Sequence, residues 1–130
     1  MAVRTLAEVE AAVRASWSVE TCDEVDAPDW TPANPARGQC GATALVLHDL
    51  LGGDLLQAEV LHPDGTRQGY HAWNGFPGGL QVDLTAEQFA VTEVVQEPAV
   101  VRRPPGLPGR GAAQYLLLRE RVVARLAGQG

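Results

Sequence analysis

Apolar residues at Leu6, Val9, Val13 and Trp17 recur at steps of three or four. That spacing lines one face of a helix and predicts an amphipathic helix over residues 5–17. The period is lost over residues 18–37, where Pro28, Pro32 and Pro35 predict an irregular loop with Trp30 as its apolar anchor. A second helical pattern runs from Cys40 to Leu51 and stops at Gly52-Gly53, a pair able to take the left-handed conformation of a helix C-cap. It is the most apolar helix of the chain and is expected at the centre. "DLLQAEVLHPDGTRQGYHAWNG" and "GGLQVDLT" are short β-compatible runs broken by turn clusters at 62–65 and 76–79. They predict an antiparallel meander. Thr85 followed by Gln88 has the form of a capping box and predicts a short helix starting there. Residues 91–102 read as one more strand, with Pro98 requiring an edge or a bulge, and 102–111 as a loop. Tyr115, Leu118, Val122 and Leu126 trace the buried face of a C-terminal helix.

These elements predict an α+β fold in which a central helix packs on an antiparallel β-sheet. At 130 residues the chain has room for one core, so a single domain over 1–130 is expected. The formal net charge is -6 and all ten basic residues are arginines. No lysine-rich stretch exists to track a phosphate backbone or an anionic bilayer, which argues against nucleic acid and membrane as partners. The start, "MAVRTLAEVEAAVRASW", has no continuous apolar run and does not read as a signal peptide or a membrane span. Two cysteines, Cys22 and Cys40, are too few for a disulfide scaffold. A cytoplasmic protein with free thiols is expected.

Cys40 stands at the mouth of the apolar helix, where unpaired N–H groups and the positive end of the helix dipole favour a thiolate. Gly38 and Gly41 leave the backbone bare on either side of it, open to a substrate carbonyl. A cysteine nucleophile needs a base, and three histidines compete for that role. His48 lies eight residues along the same helix, about 12 Å away at ~1.5 Å per residue and out of reach. His62 sits in a tight turn. His71 lies in the strand "GYHAWN", on the same face as Trp73, and is the candidate base. Asp83, on the next strand, is placed to fix the tautomer of that ring. Cys22 lies among carboxylates in "ETCDEVD" and is expected to be an unreactive thiol. Zinc would accept Cys40, His71, Asp83 and Cys22 as ligand types, but no Cys-x-x-Cys or His-x-x-x-His pair supplies the local spacing of such a site. No metal and no cofactor are expected.

The stretches "GQCGATA" and "HAWN…GLQVDLT" resemble, in the same chain order, the Cys, His-x-Trp and Asp-x-Thr signature of transglutaminase-like and papain-like cysteine enzymes. A closer resemblance is to the YunG-like family of small bacterial proteins. The shared elements are "NP-x-x-GQC", "TALV", "GG", "H-x-WN" and "DLT-x-x-QF", between Trp17 and Phe89. The resemblance implies a papain-like core with Cys40 as nucleophile, His71 as base and Asp83 as orienter. A papain-like oxyanion glutamine would stand six positions before the cysteine, where this chain has Asn34; Gln39 is the alternative. Trp30 and Trp73 are candidate cleft walls. The expected function is acyl transfer through a thioester, by hydrolysis, deamidation or amine transfer, on a small-molecule or peptide amide or ester. The alternative is a non-catalytic binding or regulatory module that retains a relic triad.

Overall fold

The computed structural model describes residues 5–89 and 92–128. Helix α1 spans Leu6–Ser16, α2 Cys40–Leu51 and α3 Ala112–Gly128. Thr5 and Glu8 form a reciprocal capping box at the start of α1, which satisfies two backbone donors that a helix leaves open. The buried stripes of the three helices meet in one core through Val9 and Val13 of α1, Val46 and Leu47 of α2, and Leu118 and Val122 of α3. Each such side chain contributes roughly 1.5–3 kcal/mol by leaving water. Trp17, just past α1, joins that core and donates its indole N–H to the Thr43 hydroxyl of α2 at 3.0 Å.

Strand β1 spans Asp54–Leu61, β2 Arg67–Phe76, β3 Leu80–Val82, β4 Val94–Val95 and β5 Ala99–Val101. The sheet is antiparallel, with order β3-β2-β1-β4 and β5 also paired to β1. The fold is α+β, with α2 lying between α3 and the β1–β2 hairpin. The turn between α2 and β1 requires glycine: Gly53 has φ +80, and a Cβ there would lie 2.5 Å from the Gly75 carbonyl oxygen. β1 and β2 set Ala58 opposite His71 and Leu56 opposite Trp73, and β3 sets Val82 opposite Asn74. Asp83 therefore leaves the end of β3 beside the strand that carries His71.

Two local expectations need correction. Residues 91–102 form two short strands flanking Pro98, because proline cannot donate to the ladder and interrupts pairing with β1; Val91 itself lies outside the described residues. The segment after Asp83 is a single 3-10 turn, Ala86–Gln88, and the Thr85 side chain makes no cap. The capping box does not form because Gln88 is drawn into long-range contacts instead. No helix among the described residues is long and apolar enough to cross a membrane.

Candidate active site

Cys40 is the first residue of α2. No side chain caps this helix, and its ladder begins with Thr43 N–H donating to the Gln39 carbonyl at 3.0 Å. Cys40, Gly41 and Ala42, whose N–H groups precede that bond, line a cleft of about 850 Å³. Gly41 is open: a Cβ there would meet nothing within 4 Å. Gly38 is not. Its φ is +69, a Cβ would fall 2.5 Å from Cys22 Sγ and 2.9 Å from Asp26 Cβ, and its N–H donates to Gln88 Oε1 at 3.2 Å. Close packing, rather than substrate access, requires glycine at 38.

His71 is fully buried. Its Nε2 meets Asp83 Oδ2 at 2.6 Å, and Asp83 Oδ1 accepts from the Thr85 N–H at 3.3 Å and hydroxyl at 3.5 Å. The carboxylate thus holds the ring proton on Nε2 and leaves Nδ1 as the working nitrogen. Trp73 stacks behind the ring at 5.1 Å, and Phe89 meets it edge-on at 4.7 Å. Gln88 Nε2 approaches Nδ1 at 3.4 Å. Burial lowers the affinity of the ring for a second proton. Hydrogen bonds to Asp83 and to the Cys40 side chain, and the charges of both, outweigh it and raise the pKa to about 9. Cys40, His71 and Asp83 are therefore brought together in chain order across α2, β2 and the end of β3.

The raised His71 pKa has a consequence for stability. Below about 6.5, the ordinary value, the ring is protonated in both folded and unfolded chains and its stabilising contribution is full. As pH rises towards about 9 the unfolded chain has released the proton and the folded one has not, so the contribution is progressively lost. Urea unfolding between pH 6 and 9.5 is expected to show a loss of about 3 kcal/mol, the interval from about 6.5 to about 9 at ~1.4 kcal/mol per pH unit. Asp83→Asn, which removes the chief raising partner, should flatten that slope. An equally steep slope in the variant would mean that His71 is not its source.

The other sequence-derived candidates take different places. Gln39 is fully buried and turned away from the nucleophile, with Oε1 accepting from Thr21 Oγ1 at 2.8 Å and Nε2 donating to the Ser18 carbonyl at 2.9 Å. Asn34 lies in a turn, bonded through its backbone to Thr31 and Arg37, and does not line the cleft. Neither amide is placed as an oxyanion donor. Trp30 donates to the Pro35 carbonyl at 3.1 Å and closes its own loop. Trp73 is buried behind His71 and donates to Gln81 Oε1 at 3.0 Å, so neither indole walls the cleft. His48 bonds to Arg103, and His62 is exposed at the cleft edge. Cys22 is buried, and burial together with Asp26 and Asp23 pushes its thiol up to about 11, against the opposing charge of Arg37. Among the described residues no three His, Cys, Asp or Glu side chains gather to hold a metal. Sequence reasoning missed Gln88 and Phe89; their signal was the "QF" that follows Asp83 in "DLTAEQF".

A family model described as YunG protein matches residues 5–127, a span that takes in every residue of this site. The chain belongs to the YunG family. A bacterial relative, the "Uncharacterized protein YunG" of Bacillus subtilis (strain 168), is 34% identical over 77 residues. That match covers 59% of this chain and 56% of the relative, little more than half of its length. No solved structure matches significantly.

Proposed function

We propose that this YunG-family protein is a cysteine-dependent acyl-transfer enzyme built on a papain-like or transglutaminase-like core. The observation that supports the reading best is the continuous chain from the Asp83 carboxylate through the buried His71 ring to Cys40 at the mouth of an open cleft. Cys40 is the nucleophile, His71 the base and Asp83 its orienter. The thiol proton passes to His71, whose raised pKa favours the imidazolium, and Sγ forms a bond to the carbonyl carbon of an amide or ester. The tetrahedral adduct collapses with cleavage of the C–N or C–O bond, and the imidazolium returns its proton to the departing amine or alcohol. Water or an amine, deprotonated by the now neutral ring, then attacks the thioester. The C–S bond breaks, an acid or a new amide leaves, and the thiol regains its proton. Hydrolysis, deamidation and amine transfer differ only in what leaves and what attacks. The two unpaired thiols suit a reducing compartment, and we place the protein in the cytoplasm.

The test is residue-resolved alkylation of the native protein with iodoacetamide at neutral pH. Cys40 is partly exposed beside the His71 ring, which favours the imidazolium, whereas Cys22 is buried and holds its proton up to about 11. Cys40 is expected to react at least 10²-fold faster, because the thiolate is the reacting form. Equal rates at the two cysteines would leave a binding module with a relic triad as the better reading.

A further inference from the structure

The side-chain amide that stabilises a developing oxyanion has no occupant at Asn34 or Gln39, yet a third amide reaches the same ring as Cys40. We propose that Gln88 Nε2 is the oxyanion donor of this site, joining the backbone N–H groups at the start of α2. The inference rests on the acyl-transfer reading and adds a catalytic residue to it.

Gln88 lines the cleft together with Cys40 and Gly41. Its Oε1 accepts the Gly38 N–H at 3.2 Å, which ties it to the chain two residues before the nucleophile. Its Nε2 carries two hydrogens: one is directed to the Thr85 carbonyl at 3.2 Å and the other to His71 Nδ1 at 3.4 Å. The first bond and the Gly38 contact fix the amide plane and its orientation, so that no flip exchanges donor for acceptor. The second contact is long, and it survives only while Nδ1 lacks a proton. With the second proton on Nδ1, the form that the raised pKa favours at neutral pH, Nδ1 and Gln88 Nε2 are both donors and their bond is lost. One amide hydrogen is then free in the cleft that Gln88 and Cys40 both line, where charge develops on the carbonyl oxygen. A donor preorganised in this way strengthens its interaction in the transition state rather than in the ground state. Gln39 cannot serve, since both ends of its amide are bound to the Ser18–Thr21 turn.

The experiment compares two reagents on the full chain. 4-Nitrophenyl acetate acylates a thiol through a tetrahedral oxyanion, whereas iodoacetamide alkylates it by displacement at a saturated carbon and builds no oxyanion. Gln88→Ala removes the amide. Gln88→Glu keeps an acceptor for the Gly38 N–H and loses the donor, so it covers the case in which the alanine variant does not fold. Each variant is expected to lose about 10²-fold in the rate of Cys40 acylation, followed by nitrophenolate release and by mapping of the acetylated residue. Alkylation by iodoacetamide should stay within about threefold of wild type, an outcome that a merely structural role would not give. Equal slowing with both reagents would show that Gln88 acts only through His71, and no slowing with either would remove it from the site; each result overturns the assignment while wild-type acylation stands. Absence of acylation at Cys40 in the wild type would overturn the acyl-transfer reading itself, and Gln88 with it.

Discussion

Acylation of Cys40 by an activated ester is expected to fall by about 10²- to 10⁴-fold when His71 is replaced, the usual contribution of a positioned general base. Two independent losses contribute to this. The thiol proton no longer has an acceptor, and the leaving group no longer has a donor. His71→Ala also removes a ring that stacks on Trp73 and meets Phe89, so His71→Gln, which refills most of the volume, is the better comparison. Rates are normalised to folded protein by a thermal melt of each sample. Asp83→Asn should retain more activity than either His71 variant, because the ring remains in place while its Nε2–H loses the charge of its partner at 2.6 Å. If His71→Gln acylates at the wild-type rate, the ring is a core histidine and Cys40 reacts without it.

Gly38→Ala is expected to cost roughly 2–5 kcal/mol of stability. Backbone strain at φ +69 accounts for about 1–2 kcal/mol in an L-residue. The added methyl group must also be accommodated against Cys22 Sγ at 2.5 Å and Asp26 Cβ at 2.9 Å, overpacking that costs about 1–3 kcal/mol. Against a total of about 5–15 kcal/mol for a domain, this is a large fraction. Gly41→Ala supplies the contrast. Its φ is ordinary, a Cβ meets nothing within 4 Å, and alanine favours the helix by up to about 1 kcal/mol over glycine. Urea unfolding of the two variants should therefore move in opposite directions or differ by at least 2 kcal/mol. Similar midpoints would mean that the loop carrying Cys22 yields easily, and that Gly38 does not hold the approach to Cys40 in place.

The elements that the sequence determined are those governed by local periodicity. Leu6, Val9 and Val13 on one face, and Tyr115, Leu118, Val122 and Leu126 on another, mark α1 and α3 without reference to any neighbour, because a 3.6-residue repeat can be read from spacing alone. The Cys40–Leu51 helix and its glycine terminus were legible for the same reason. So was the meander, whose turns set His71 and Asp83 twelve residues apart and on adjacent segments. Only the tertiary structure decided where the amides and indoles go. Gln39, Asn34 and Gln88 all carry one acceptor and two donor hydrogens, and a side chain of that kind binds whichever partners the fold brings near. Gln39, next to the nucleophile in sequence, is held by the Ser18–Thr21 turn, while Gln88, 48 positions after Cys40, reaches the nucleophile's own base. Trp30 and Trp73 were equally undetermined, since an indole buries its ring wherever its N–H can also find an acceptor, here Pro35 and Gln81. Spacing along the chain specifies which face of an element a residue occupies; long-range packing alone specifies what that face meets.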